Sequence, residues 1–165
     1  MKIDAIVYQS NTGHTEQYAS LLSKEINIPY YSIKESLTTL QKGSSIIYLG
    51  WIHAKKIVGY KKAKKKYQIK AICAVGLCDT NSLVREVREK NNIEESIPLF
   101  TLQGGIKKDE LKGMDRFILN LLIKALEKDD DISLEDQRAL CLLKTDANYV
   151  KKENLSLFLT WFRDN

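Results

Sequence analysis

The chain has 165 residues, and its 26 Lys and Arg against 21 Asp and Glu give a formal net charge of +5. This length suits one domain with its own hydrophobic core, over residues 1–165, and leaves no room for a second enzyme domain. No apolar segment approaches the roughly 18 residues of a membrane span, and the first residues do not have the pattern of a signal peptide. We therefore expect a soluble, cytoplasmic protein.

The cysteines are Cys73, Cys78 and Cys141. Their number is odd and none has CxxC spacing, so neither a disulfide framework nor a zinc site is predicted. Cys73 lies within an apolar run, which predicts a core position. Cys78 falls in a segment that we place near a ligand.

Residues 3–8 form an apolar run that stops at the small, hydroxyl-rich segment SNTGHT. The run predicts a strand covered on both faces, as in a parallel sheet. From Thr15 onward the apolar residues recur at helical spacing. The segment therefore lies between the carboxyl end of a strand and the amino end of a helix, where unpaired N–H groups and the helix dipole favour an anion. The candidate anion-binding residues are Ser10, Asn11, Thr12, Gly13, His14 and Thr15.

Two interpretations of this segment are open. In the first, its hydroxyl groups donate to a bound phosphate, and Gly13 lets the backbone approach the ligand closely. In the second, Ser10 or Thr12 is an ordinary helix cap. Three hydroxyl groups and a glycine exceed what a cap requires, which favours the anion site. The chain has no GxxxxGK[ST] sequence and no GxGxxG after a strand, which argues against nucleoside triphosphate hydrolysis and Rossmann-type dinucleotide binding.

Strand and helix patterns alternate along the rest of the chain. The predicted strands cover residues 3–8, 27–33, 46–49, 71–75 and 98–102. Helices are predicted from residue 15 and over residues 36–40, 55–66, 83–87, 114–126 and 154–162, with a short one from residue 134. Pro29 marks the second strand as an edge strand, and the third should be central. Trp161 is expected to pack in the last helix. This alternation predicts an α/β domain with a largely parallel sheet of five strands.

Two more segments follow the carboxyl ends of predicted strands, at the edge where open α/β sheets bind ligands. The loop after the third strand consists of Gly50, Trp51, Ile52, His53 and Ala54. The segment after the fourth strand consists of Gly76, Leu77, Cys78, Asp79 and Thr80. Residues 79–82 are also competent helix caps, and capping explains them without a ligand.

The SNTGHT segment resembles the phosphate loop of the flavodoxin family, and VGLCDTNS at residues 75–82 resembles that family's third flavin-contacting loop. Residues 100–126 are similar to a flavodoxin-domain subgroup that includes the quinone-linked protoporphyrinogen oxidase. The resemblance implies a three-layer α/β/α fold with strand order 2-1-3-4-5 and a bound FMN. In that arrangement residues 10–15 hold the phosphate, Trp51 stacks on the isoalloxazine ring, and residues 76–80 approach its pyrimidine edge.

Three functions compete on this basis. They are an electron carrier that works through FMN, a flavin-dependent oxidoreductase acting on a small substrate or quinone, and a cofactor-free binding module. The oxidase resembles a long-chain flavodoxin with an insertion between its fourth and fifth strands, whereas here residues 76–97 have room for one helix and a turn. We therefore favour the carrier. No Ser-His-Asp or paired-carboxylate arrangement supports hydrolysis.

Eight lysines make up a basic segment between residues 55 and 70, and they are Lys55, Lys56, Lys61, Lys62, Lys64, Lys65, Lys66 and Lys70. Such a run is most often a solvated helix face. The alternative is a surface for an anionic partner. We expect a redox partner protein, an acidic one if this segment takes part, and no nucleic acid. Peripheral membrane contact is not favoured, and the sequence does not indicate an oligomeric state.

Overall fold

The computed structural model describes residues 2–106, 120, 121, 123, 124 and 146–165. The strands are β1 Ala5–Gln9, β2 Tyr30–Ser32, β3 Ser45–His53, β4 Lys56–Ile57, β5 Gln68–Gly76, β6 Leu99–Gln103, β7 Gly105–Ile106 and β8 Ala147–Asn148. The α-helices are α1 His14–Ile26, α2 Ile33–Thr39, α3 Tyr60–Lys66, α4 Val84–Asn91 and α5 Ser156–Asp164, and a 3-10 helix at Lys152–Leu155 precedes α5. Most of the predicted helix at residues 114–126, the short helix from residue 134 and Cys141 lie outside the described residues.

Five strands form a parallel sheet in the order β2-β1-β3-β5-β6. This is the flavodoxin-like order that we predicted, with later labels shifted by the short strand β4. As predicted, β2 is an edge strand and β3 is central. Two antiparallel pairings were not predicted. The end of β3 pairs with β4, and β7 pairs with β8.

Alternate side chains of the sheet point to opposite faces, and both faces are buried. The first face packs against α1 and α5, and its core includes Ile6, Ile47, Tyr18, Leu22 and Phe158. The second face packs against α2, α3 and α4, and its core includes Val7, Ile46, Ile33, Tyr60 and Val87. Burial on both faces explains why the strands are continuous apolar runs. Cys73 is 0% exposed, which confirms its predicted core position.

The prediction for residues 50–54 as a loop was wrong. Strand β3 continues through His53 because Ile52 and His53 pair with the returning strand β4. Ala54 and Lys55 have positive φ angles of 46° and 64°, which form the tight turn of this β3–β4 hairpin. The predicted lysine-rich helix beginning at residue 55 was wrong for the same reason, and α3 begins only at Tyr60.

Helix α2 begins three residues earlier than predicted because of a capping box. The Ser32 hydroxyl accepts a hydrogen bond from the Glu35 N–H at 3.2 Å, and the Glu35 carboxylate accepts one from the Ser32 N–H at 2.9 Å. The side chain and backbone of Ser32 hold the pKa of Glu35 below its usual value. The observed second strand, β2, is therefore shorter than the predicted range of residues 27–33.

The C-terminal helix is present as the 3-10 turn followed by α5. Trp161 packs beside Phe158 and Phe100, with ring centroids 5.5 and 6.1 Å away. Its predicted packing role is confirmed. None of the helices in the described part of the chain combines the length and apolar content that a membrane crossing requires.

Candidate functional site

A cavity of about 140 Å³ lies at the carboxyl ends of β1, β3 and β5, and we call it the strand-end cavity. Its lining comes from all three segments singled out in the sequence, from Val75 of β5 and from Gly105 of β7. The lining residues are Ser10, Asn11, Thr12, His14, Thr15, Trp51, Ile52, Val75, Gly76, Leu77 and Gly105. The strand order thus brings together, at one edge of the sheet, residues that are up to 95 positions apart.

The amino end of α1 forms one wall of the strand-end cavity. Gly13, with φ of 83°, is the N-cap, and no side chain makes a capping hydrogen bond there. The interpretation of Ser10 or Thr12 as the cap was therefore wrong. Ser10 Oγ accepts from the Gly13 N–H at 3.1 Å, and Thr12 Oγ1 is hydrogen-bonded to His14 Nδ1 at 3.0 Å. The positive end of the helix dipole lies at this wall without a side-chain cap.

His14 and Thr15 reach the strand-end cavity although they are only 3% and 1% exposed. Gly105 permits this arrangement, because a Cβ at that position would lie 2.7 Å from His14 Nε2. We did not predict Gly105 or Val75 as site residues. Gly105 follows the carboxyl end of the fifth strand, at the same sheet edge as the other segments, so its position was a usable signal.

The segment after β5 enters the strand-end cavity only with Gly76 and Leu77. Cys78 and Asp79 are exposed and Thr80 is partly buried, and none of the three lines the cavity. The predicted grouping of all five residues around one ligand is therefore incomplete.

Gln103 of β6 fixes this segment. Its backbone N–H donates to Thr80 Oγ1 at 3.1 Å, and its Nε2 donates to the Leu77 carbonyl oxygen at 3.4 Å. The N-cap of α4 is Leu83, with no side-chain capping bond. The capping interpretation of residues 79–82 was therefore wrong, and Thr80 has a long-range role instead.

The β3–β4 hairpin supplies Trp51 and Ile52 to the strand-end cavity. Gly50 does not line the cavity. The packing of β4 accounts for this glycine, because a Cβ there would lie 2.5 Å from Ile57 Cγ2. Ala54 is in the turn. The His53 ring lies outside the cavity and contacts the Trp51 ring edge-on, with centroids 5.5 Å apart.

Asn91 of α4 fixes the hairpin in place. Its Nδ2 donates to the Lys55 carbonyl oxygen at 2.8 Å and to the Val87 carbonyl oxygen at 2.7 Å. Its Oδ1 accepts from the Ile57 N–H at 2.9 Å. One side chain thus ties the turn and the returning strand β4 of the hairpin to a helix.

The variant Asn91→Ala is expected to lower the free energy of unfolding by about 2 kcal/mol, because three hydrogen bonds are lost and backbone groups of the hairpin lose their partner. Denaturant unfolding measures this loss. The matched control is Lys90→Ala, an exposed neighbour on the same helix, which should cost less than about 0.5 kcal/mol. Equal destabilisation of the two variants would contradict the conclusion that Asn91 holds the β3–β4 hairpin against α4.

Among the described residues, no group of three or more His, Cys, Asp or Glu side chains is placed to hold a metal ion. Comparisons with known proteins found no matching family model, no matching curated protein and no matching solved structure. The lining of the strand-end cavity combines hydroxyl groups and a helix amino end with an aromatic ring and apolar side chains. That combination suits a ligand with an anionic end and a flat ring system.

Proposed function

We propose that this chain binds FMN in the strand-end cavity and exchanges electrons with another protein. The observation that carries the proposal is the placement of the α1 amino end and the Trp51 ring on the same cavity. FMN joins a phosphate to an isoalloxazine ring, so one ligand would use both walls.

The donors at the α1 wall fit a phosphate. Ser10 Oγ accepts from the Gly13 N–H, which leaves its own hydroxyl proton to donate elsewhere. Thr15 and Asn11 add a hydroxyl and an amide donor to the same wall. Among the described residues of the lining there is no carboxylate, so nothing there repels a dianion. Charge-assisted hydrogen bonds of this kind are stronger than neutral ones.

The opposite wall fits a flat ring. Trp51 offers an aromatic face or edge, and Ile52 and Leu77 add apolar surface. Gly76 lets the Ile52 side chain pack closely against the end of β5, because a Cβ there would lie 3.1 Å from Ile52 Cδ1. A bound flavin supplies the redox chemistry, while these residues bind and orient it.

The size of the cavity favours a carrier over an enclosed catalytic site. Its volume of about 140 Å³ is below the roughly 300 to 1,000 Å³ typical of sites that enclose a ligand. A ligand as large as FMN would therefore remain partly exposed, within reach of a second protein. The connection from β5 to β6 contains only a turn, α4 and residues 92–98, so this connection places no large insertion beside the cavity.

Flavin content and turnover test the proposal together. We expect protein purified from its own host to contain FMN or to take up added FMN at about one to one, as measured by absorption spectra. The reduced protein should pass electrons stoichiometrically to a redox protein of the host. Repeated turnover of a porphyrinogen with a menaquinone analogue would instead establish the oxidase, and failure to bind any flavin would leave a cofactor-free binding module.

Trp51→Ala is expected to weaken FMN binding by about 1 to 3 kcal/mol, the scale of a buried aromatic contact. In the unaltered protein, FMN should strongly quench Trp51 fluorescence. Trp161→Phe is the matched control, because Trp161 packs in α5 and its removal should leave both the quenching and the affinity unchanged. Wild-type affinity in Trp51→Ala would place the flavin away from the hairpin.

A further inference from the structure

A second cavity, of about 440 Å³, lies between the β3–β4 hairpin, α3 and α4. Five basic side chains line it, and they are His53, Lys56, Lys61, Lys62 and Lys90. We call it the basic cavity. The four lysines come from β4, α3 and α4, so the positive charge converges from three elements onto one concave surface, and β3 adds the His53 imidazole. The basic segment is therefore not one helix face, because Lys55 and Lys56 lie in the β3–β4 hairpin, although most of its lysines are exposed as predicted.

Among the described residues, the lining of the basic cavity holds four lysines and no carboxylate. In the described part of the chain, none of its four lysines forms an ion pair. Three acidic side chains of α4 and the following loop pair with other basic residues, and Glu86 of α4 forms no ion pair within the described part of the chain. These pairs are Glu89 with Arg85 at 3.8 Å, Glu94 with Lys64 at 3.1 Å and Glu95 with Arg88 at 3.4 Å. A cleft lined by one sign of charge attracts an oppositely charged partner from a distance.

The basic cavity is adjacent to the strand-end cavity. His53 lines the basic cavity and Trp51 lines the strand-end cavity. Their rings are in edge-on contact, with centroids 5.5 Å apart. A molecule docked in the basic cavity is therefore separated from the proposed flavin by two aromatic side chains.

The exposure of the lysines indicates which kind of anion fits. Lys56, Lys61, Lys62 and Lys90 are all exposed. The Asn91 amide, the other polar group of the lining, is already bonded to the hairpin and to Val87. A small-molecule site needs buried, pre-positioned polar groups, whereas mobile surface charges suit the steering of a transient protein complex. The concave shape also fits a protruding segment better than a planar lipid surface.

We propose that the basic cavity is the docking surface for an acidic redox partner, a protein that inserts an Asp- and Glu-rich segment between the hairpin, α3 and α4. This inference rests on the proposed function and adds to it the chemistry and position of the partner. Carboxylates of the segment pair with Lys56, Lys61 and Lys62, and the complex is held weakly enough to dissociate after electron transfer.

The probe is a fluorescein-labelled peptide of ten glutamates, and its binding to the full chain without FMN is followed by fluorescence anisotropy. We expect binding at low salt and a steep loss of affinity as the ionic strength passes about 0.1 M, where the Debye length is about 10 Å. The double variant Lys61→Glu/Lys62→Glu should weaken the peptide at least about tenfold. The matched control, Lys34→Glu/Lys65→Glu, changes the net charge equally at exposed positions outside the basic cavity and should weaken it less than about threefold.

Three results would overturn the docking surface. One is an equal loss of affinity in the two double variants, which would mean that only net charge matters. Another is displacement of the peptide by inorganic pyrophosphate at a lower concentration than by unlabelled peptide, which would indicate a small-anion site. The last is binding to phosphatidylglycerol vesicles without binding of the peptide. Because the peptide is measured without FMN, a failed flavin titration counts against the proposed function and a failed peptide titration against the docking surface.

A second readout monitors the contact between His53 of the basic cavity and Trp51 of the strand-end cavity. In a Trp161→Phe background, saturating peptide is expected to change the fluorescence of Trp51, and His53→Ala should abolish that change. Peptide binding with unaltered Trp51 fluorescence would place the peptide away from His53 and would overturn the docking surface as defined.

Discussion

Riboflavin, which lacks the phosphate of FMN, is expected to bind at least about a hundredfold more weakly than FMN. The α1 amino end and the hydroxyl groups of Ser10 and Thr15 would act on the phosphate alone. Two charge-assisted hydrogen bonds at about 1.5 kcal/mol or more each amount to about 3 kcal/mol, which is a factor of about a hundred in affinity. Titration of each flavin against the protein, followed by flavin fluorescence, gives the two dissociation constants.

The variant Thr15→Val separates the phosphate contribution from that of the ring. It removes one hydroxyl with little change of shape, so FMN binding should weaken about tenfold while riboflavin binding stays unchanged. Ser20→Ala, also in α1 but outside the strand-end cavity, should leave both affinities unchanged. Equal affinities of the unaltered protein for FMN and riboflavin would exclude the proposed role of residues 10–15.

The variant Gly59→Ala is expected to lower the free energy of unfolding by about 3 kcal/mol. Gly59 is the N-cap of α3 with φ of 82°, and a side chain in this conformation costs about 1 to 2 kcal/mol. A Cβ there would also collide with the hydroxyl oxygen of Tyr48, and overpacking adds about 1 to 3 kcal/mol. That hydroxyl has little freedom to move, because it donates to the Val58 carbonyl oxygen at 2.7 Å. Burial raises the pKa of Tyr48, so the hydroxyl keeps its proton at neutral pH.

Two further variants divide the cost at Gly59 into its parts. Gly43 has φ of 87°, but a Cβ at this position would meet no heavy atom within 4 Å, so Gly43→Ala should show the backbone strain alone, about 1 to 2 kcal/mol. The double variant Tyr48→Phe/Gly59→Ala should lose less than the sum of its single variants, since the collision is absent. Urea unfolding of the unaltered protein, of the three single variants Gly59→Ala, Gly43→Ala and Tyr48→Phe, and of the double variant tests this. Equal losses at Gly43 and Gly59 would show that Tyr48 contributes nothing.

The parallel sheet could be predicted because the inner strands β1, β3 and β5 contain long apolar runs that end in small or polar residues. The β3–β4 hairpin could not be predicted in the same way. Its turn residues, Ala54 and Lys55, have positive φ angles that favour Gly or Asn, so the sequence carries no turn signal. The hydrogen bonds from Asn91, 36 residues away from Lys55, stabilise the turn, and such a contact is not visible in local pattern.

In the candidate site too, local pattern locates some residues, whereas contacts with distant parts of the chain determine the place of others. Residues 10–12, 14 and 15 could be placed at the strand-end cavity because a strand, a loop and a helix in direct succession fix their local geometry, whereas Gly13 is the N-cap of α1 and does not line the cavity. Residues 78–80 could not be assigned correctly, because Thr80 is held by Gln103 of a strand that follows 23 residues later. The position of Gly105 after β6 could have placed it at the same sheet edge, but the reason for a glycine there depends on the close approach of His14.

The pairing of α1 and α5 on one face of the sheet has a consequence for synthesis on the ribosome. Leu155, Phe158 and Leu159 close the same core face as Tyr18 and Leu22, yet they leave the ribosome more than a hundred residues after α1. At roughly 5 to 20 residues per second, this face stays open for on the order of 10 s in each nascent chain. The opposite face, covered by α2, α3 and α4, can close during that interval. We therefore expect chaperones to bind the nascent chain chiefly at its α1 face.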